Sequence, residues 1–219
     1  EIVTRENGIT REMQDAFSVD SHRHALEGRD HLNEEICPTY IPPDFKRVIA
    51  EDNGPRGDQS LEILAKLRPV FDKKNGTVTA GNSSQITDGA VALLVMGEKR
   101  AEELDLTPLG VLTGYAYAGC DPARMGLGPL HAIARAEHQC GLGVKDADLV
   151  EINEAFAGQV LAVQKLAESK EYAGKFLDRT KTIGTISPDI LNVNGGSVAL
   201  GHPVGATGSR LVLTALKEL

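Results

Sequence analysis

Between Gly89 and Gly97 the chain reads Ala-Val-Ala-Leu-Leu-Val-Met, a near-continuous apolar run from Ala90 to Met96. A segment with no polar alternation is the pattern of a strand buried on both faces, so it demands a sheet with covering layers on either side. The surrounding sequence supports that architecture. Thr77-Val78-Thr79 is β-prone, Leu109–Ala118 is strand-like, Leu149–Ile152 predicts a short buried strand and Asn192–Asn194 a last one. Helical stretches alternate with them: charged Glu98–Asp105, then Pro129–Cys140, opened by proline and closed by Gly141, then Glu154–Ala167 and Ser209–Leu219. Alternation of this kind predicts a layered α/β fold, with a boundary near Thr107-Pro108.

The first part, to about Phe71, has a different character. It is polar and helical in pattern, with little strand signal. Thr10 is placed to cap a helix bearing Met13, Ala16 and Phe17, and the pattern fades beyond His24. Cys37–Pro43 must be extended or irregular because of its prolines. Ser60 is placed to cap a second helix that Pro69 ends. The polar stretch Glu168–Asp189 reads as a surface insertion.

Composition narrows the function. With 31 acidic and 23 basic residues the net charge is −8, and no Lys/Arg cluster breaks the pattern. A nucleic-acid surface is therefore excluded, and an anionic ligand needs a few well-placed cations. The three cysteines, Cys37, Cys120 and Cys140, lie far apart, which speaks against a disulfide framework or a zinc site and for a reducing, cytoplasmic setting. No apolar run approaches the ~18 residues of a membrane span. The chain opens on Glu1 with no signal-peptide pattern, as a processed or partial chain does.

Three stretches hold chemistry-bearing residues. Asn192–Arg210 crowds Gly195, Gly196, Gly201, Gly205 and Gly208 around His202, a density that suits close backbone approach. It lacks the GK[ST] ending of a phosphate loop. In Glu151-Ile152-Asn153-Glu154-Ala155-Phe156, polar residues sit where a strand gives way to a helix, the usual position of α/β sites; Asn153 there is equally a candidate helix cap. Ala80–Gly89 supplies small and hydroxyl residues that let a ligand lie close to the backbone.

Together these stretches resemble the thiolase family. Asn153-Glu154-Ala155-Phe156 matches its Asn-Glu-Ala-Phe motif. Asn194-Gly195-Gly196, Gly201-His202-Pro203 and Gly208-Ser209-Arg210 match its long glycine-histidine signature, and Thr79–Asn82, Asp88–Ala90 and Gly8–Asp15 are similar as well. The resemblance implies a layered α-β-α-β-α fold, present in part. Residues 1–71 would form a mostly helical loop domain, 72–107 the end of the N-terminal half, and 108–219 an incomplete C-terminal half. It implies a coenzyme A-dependent acyltransferase with CoA as substrate, no permanently bound cofactor and no metal. His202 matches the histidine that activates a nucleophilic cysteine and lines an oxyanion hole. Asn153 matches the asparagine that completes this hole through a water. Arg56 corresponds to a contact at the nucleotide end of CoA, Ser84 to one near the pantetheine, and Phe71 and Phe156 to apolar residues beside the pantetheine and acyl group.

The sequence also departs from the family pattern. Neither of the family's two catalytic cysteines falls within this chain, and Cys37, Cys120 and Cys140 lie at positions without a catalytic role. The expectation is an internal piece of a longer thiolase, inactive and poorly stable alone. The length of Glu168–Asp189 favours degradative thiolysis of 3-oxoacyl-CoA in fatty-acid β-oxidation, including the kind paired with a multifunctional subunit, although that kind often has His at the Asn153 position. The alternatives are a biosynthetic acetoacetyl-CoA thiolase and an inactive CoA- or lipid-binding relative. A homodimer or homotetramer is the implied assembly.

Overall fold

A computed structural model describes residues 1–219. A short helix, α1 (Ile2–Glu6), leads into α2 (Arg11–Glu27), which Thr10 caps by accepting a hydrogen bond from Met13 N at 3.2 Å. α2 continues past His24 and passes at Gly28 into α3 (Arg29–Glu35). The fading apolar pattern misleads here because the buried stripe of α2 is polar: Gln14, Asp15, Ser18, Ser21 and His22 line it together with Ala25. Those positions recur at helical spacing, so the period is present in burial and hidden in hydrophobicity. The proline-flanked stretch is extended as expected. It also forms a hairpin that the sequence does not announce, β1 (Thr39–Ile41) antiparallel to β2 (Arg47–Ile49). Ser60 caps α4 (Leu61–Leu64), which stops well short of Pro69.

The charged helix appears as α5 (Glu98–Glu103), and α6 (Gly128–Cys140) ends on Gly141 in the left-handed region at φ +73°. α7 (Ala157–Ala167), α8 (Lys170–Phe176), α9 (Ser197–Leu200) and α10 (Val204–Glu218) complete the chain. The main core gathers around α7, where Val160, Ala162 and Val163 are fully enclosed by Ile9, Leu127, Leu130, Ile152 and Leu191. Residues 168–189 are not the surface excursion expected. Tyr172, Ile183 and Ile186 enter this same core, and Arg179 pairs with Glu137 at 2.7 Å over its rim. The stretch is polar because only one in several of its side chains points inward.

The expected strands are the main correction. The β1–β2 hairpin is the only sheet. Ala90–Met96 and Leu109–Ala118 make no backbone–backbone hydrogen bonds and are largely exposed, with Leu94 at 82% and Val111 at 78%. Leu149–Ile152 and Asn192–Asn194 reduce to one parallel bridge, Val150 to Leu191. A strand exists only through its neighbours, and within this chain nothing pairs with or covers the two long apolar runs. No helix is long and apolar enough to cross a membrane. Amide hydrogen exchange followed by mass spectrometry should show peptides spanning 90–96 and 109–118 exchanging almost at the unprotected rate, while α7 is the slowest segment.

Candidate active site

The site is built where residues 150–156 run beside residues 190–198. Val150 N donates to Ile190 O at 2.8 Å and Asn192 N to Val150 O at 2.9 Å. The backbone of Asn192 then turns left-handed at φ +47°, a conformation asparagine tolerates. Its side-chain amide continues the pairing that its backbone abandons. Oδ1 accepts from Ile152 N at 2.8 Å, and Nδ2 donates to Ile152 O at 2.9 Å and to Glu154 Oε1 at 2.8 Å.

Glu154 is 1% exposed, and its other oxygen accepts from Ser21 Oγ at 2.7 Å and Val198 N at 3.1 Å. Ser21 Oγ in turn accepts from Gly196 N at 3.2 Å. Burial pushes the Glu154 carboxyl above the usual range, and Ser21, Asn192 and Val198 oppose that by stabilising the charged form. Gly196 is obligatory, since a Cβ there would lie 2.2 Å from the Glu154 carboxyl carbon.

This frame sets Asn153 against His202, which occupies the turn between α9 and α10. Asn153 Nδ2 lies 3.2 Å from His202 Nε2, and His202 Nδ1 lies 2.7 Å from Thr207 Oγ1. Asn153 Oδ1 accepts from Ser197 Oγ at 2.6 Å. The cap reading of Asn153 is thus replaced, because Phe156 holds the N-cap position of α7 and the Asn153 amide is engaged elsewhere. Burial holds the His202 imidazole below its ordinary value, and the charge of Arg210 adds to this. A neutral imidazole of this kind is suited to act as a base.

The remaining sequence-predicted residues fall into two groups. Ser84 joins the site directly: its amide donates to Ala155 O at 3.0 Å, and Ser83 bridges to Phe156. Phe156 meets Phe71 edge to face with ring centroids 6.1 Å apart, and Phe71 is 65% exposed, an apolar lip open to a ligand. Arg56 stands farther off and exposed. Its amide donates to His22 Nδ1 at 3.1 Å, and its turn reaches the His202 loop through Gln85, whose Nε2 donates to Gly54 O and whose carbonyl accepts from His202 N, both at 3.4 Å. Sequence reasoning missed Ser197, Thr207, Gln85 and His22, since each is an ordinary polar residue until its partner is known. Thr207 carried a usable signal, lying five residues beyond His202 within the predicted catalytic loop.

None of the three thiols bonds to His202. Cys140 Sγ donates to Ala136 O at 3.0 Å, Cys37 is exposed and Cys120 is partly buried. No group of three His, Cys, Asp or Glu side chains is placed to hold a metal.

Two family models match the chain: "Thiolase, N-terminal domain" over residues 1–99 and "Thiolase, C-terminal domain" over residues 106–219. The chain belongs to the thiolase family. It is 45% identical over its full length to a 3-ketoacyl-CoA thiolase of Serratia proteamaculans and 46% identical over 97% of its length to one of Escherichia coli O157:H7. It covers 51% and 49% of those proteins, so the chain spans about half the length of the curated relatives it matches. Among solved structures it superposes on the Bacillus anthracis acetyl-CoA acetyltransferase with a TM-score of 0.86 at 39% identity, and on human mitochondrial 3-ketoacyl-CoA thiolase with 0.82 at 37%. Each match covers 99% of this chain and 51% of the other. The fold is therefore the layered α/β thiolase fold, present in part.

Behind this candidate site sits an unusual pair. The carboxylate oxygens of Glu151 and the guanidinium nitrogens of Arg210 are all buried without hydrogen-bond partners. Burial pushes the Glu151 carboxyl up to about 8 from 4.5, with the Arg210 charge pulling the other way. The folded chain therefore holds a proton that the unfolded chain has released. That stabilisation is complete below 4.5 and lost as pH rises through about 8. Glu154, Glu35 and Asp52, also raised by burial, act in the same direction, whereas the lowered His22 and His202 act only below about 6.5. Urea unfolding between about pH 6.5 and 8.5 should show stability falling with pH, and Glu151→Gln should flatten that fall.

Proposed function

We propose that the protein carrying this chain is a 3-ketoacyl-CoA thiolase. It cleaves 3-oxoacyl-CoA with free CoA to acetyl-CoA and a shortened acyl-CoA, in fatty-acid β-oxidation. The observation that carries this reading is the close pairing of His202 Nε2 with Asn153 Nδ2, framed by Ser84, Phe156 and Phe71. The naming of the curated relatives as 3-ketoacyl-CoA thiolases, and a human mitochondrial 3-ketoacyl-CoA thiolase structure that contains CoA, support the substrate class. In this reading residues 1–71 are the loop domain, 72–107 end the first half and 108–219 belong to the second. The working assembly is a cytoplasmic homodimer or homotetramer.

The chemistry follows from where charge develops. His202 Nε2 takes the proton of a cysteine thiol carried outside this chain, and the thiolate adds to the C3 carbonyl of the substrate. The C2–C3 bond then breaks and its electron pair passes to the acetyl-CoA unit as an enolate. Negative charge gathers on the thioester oxygen, where fixed donors at His202 and Asn153 stabilise it. The second cysteine of the family pattern, also outside this chain, protonates C2 to release acetyl-CoA. Its thiolate then takes the proton of the incoming CoA thiol, whose sulfur attacks the acyl-enzyme carbonyl. That attack displaces the nucleophilic cysteine as a thiolate, which His202 reprotonates. Arg56, in an acidic chain, supplies a cation toward the nucleotide end of CoA.

A biosynthetic acetoacetyl-CoA thiolase is the second reading, favoured by the similarity to the B. anthracis acetyl-CoA acetyltransferase. A catalytically silent CoA-binding relative is a third, favoured by the lack of a thiol at His202. Thiolysis assays on the whole protein separate the three. A long-chain 3-oxoacyl-CoA should be cleaved faster than acetoacetyl-CoA, and His202→Ala should lower kcat by roughly 10²–10³ with an unchanged circular dichroism spectrum. Arg56→Ala should raise KM for CoA about tenfold with kcat retained, the loss of one charge-assisted contact. Full activity in His202→Ala would overturn the proposal.

A further inference from the structure

His202 stands in a hydrogen-bonded chain whose ends are both buried. Ser197 is 0% exposed and Thr207 is 2% exposed. The contacts run Ser197 Oγ to Asn153 Oδ1 at 2.6 Å, Asn153 Nδ2 to His202 Nε2 at 3.2 Å, His202 Nδ1 to Thr207 Oγ1 at 2.7 Å, and Thr207 Oγ1 to Pro203 O at 3.1 Å. Every hydroxyl in the series has a single proton, so the chain has two coherent directions. In the forward direction Ser197 donates to Asn153, the Asn153 amide donates to Nε2, Nδ1–H donates to Thr207, and Thr207 donates to Pro203 O. In the reverse direction the Asn153 amide is flipped, Nε2–H donates to its oxygen and Thr207 donates to Nδ1.

The two ends decide between these. In the reverse direction Thr207 abandons Pro203 O. The Ser197 proton is then left inside the protein without an acceptor, because Asn153 is the only hydrogen-bond partner of Ser197 Oγ. A buried donor without a partner is costly, so the forward direction, which keeps the Thr207–Pro203 hydrogen bond and an acceptor for the Ser197 proton, is favoured over the reverse one, which loses both. We propose that Ser197 and Thr207 are positioning residues that hold His202 as the Nδ1–H tautomer, with a basic Nε2 presented beside Asn153. This rests on His202 acting as the base of the thiolase site. It specifies which nitrogen is the base and what holds it so. Nε2 accepts from the Asn153 amide at rest and exchanges that hydrogen bond for the thiol proton when it acts as base, while Nδ1–H remains on Thr207 throughout.

The test is the tautomer itself, read from long-range 1H–15N spectra of the full chain labelled at histidine nitrogen, with the His202 signals assigned by His202→Gln. The wild-type chain should show Nδ1 protonated and Nε2 bare near neutral pH. Thr207→Val keeps shape and removes the acceptor, so the ratio should move toward Nε2–H on the order of tenfold. Thr207→Ser should restore the wild-type spectrum. Ser197→Ala removes the other end and should shift the ratio in the same direction, which keeps the test open if Thr207→Val fails to fold. A wild-type Nε2–H tautomer, or a ratio unmoved in folded Thr207→Val or Ser197→Ala chains, overturns the proposal. The readout needs no turnover, so its failure is distinct from an absence of thiolase activity.

Discussion

The carboxylate of Glu154 is the interaction on which the site depends. It is enclosed by protein and accepts from Ser21 on α2, from the Asn192 amide and from Val198 N on α9. An enclosed carboxylate loses its hydration, and only a full set of donors makes such a position tolerable. Here the donors come from two separate parts of the chain, α2 and the segment 192–198, so satisfying one carboxyl forces both against the Glu154 segment. Asn153 is the residue before Glu154, and Ser197 is the residue before Val198. Holding Glu154 on Val198 therefore brings Asn153 to Ser197, and the turn after α9 carries His202 to the same place. The pairing of Asn153 with His202 is a consequence of a buried structural carboxyl one residue away.

α2 is the other half of this frame, and its buried face is polar for the same reason. Asp15 pairs with Arg11 at 2.7 Å and accepts from Asn82 Nδ2 at 2.9 Å, while Gln14 donates to Thr77 Oγ1 at 3.0 Å. These contacts fix the segment 77–82 that leads to Ser84, so one helix anchors the Ser84 loop at its start and Glu154 near its end. Polar networks of this kind specify geometry closely, since a shifted register leaves a buried group unmet. They also conceal a helix from any reading that seeks an apolar stripe. The helix was legible at its Thr10 cap and illegible along its length.

The apolar core and the exposed runs show the limits of pattern from the other side. α7 packs as its sequence suggests, enclosed by residues from α1's flank, α6 and the stretch 168–189. Ala90–Met96 and Leu109–Ala118 are as apolar as α7, yet they remain uncovered. Hydrophobicity states a need for burial without supplying the neighbour that meets it. A helix closes its own hydrogen bonds, so α5 and α6 form where local signals place them, and α10 forms too but starts at Val204, five residues before the expected Ser209. A strand cannot, and a chain that spans about half the length of its relatives leaves such needs open.

By itself the sequence determined the family, the helix caps at Thr10 and Ser60 and the C-terminal stop at Gly141, and it singled out His202, Asn153, Ser84 and Phe156 as candidates for one site. These are local or motif-borne signals, written in side chains whose chemistry does not depend on distant partners. Tertiary structure alone decided that Asn153 faces His202 rather than capping a helix, that Phe71 reaches Phe156 while Arg56 stays apart, and that residues 168–189 close the core. It alone enlisted Ser197, Thr207, His22 and Gln85. Each of those outcomes is a hydrogen bond or contact between residues far apart in sequence, or between side chains whose proton direction is set by burial, and neither is encoded at any single position.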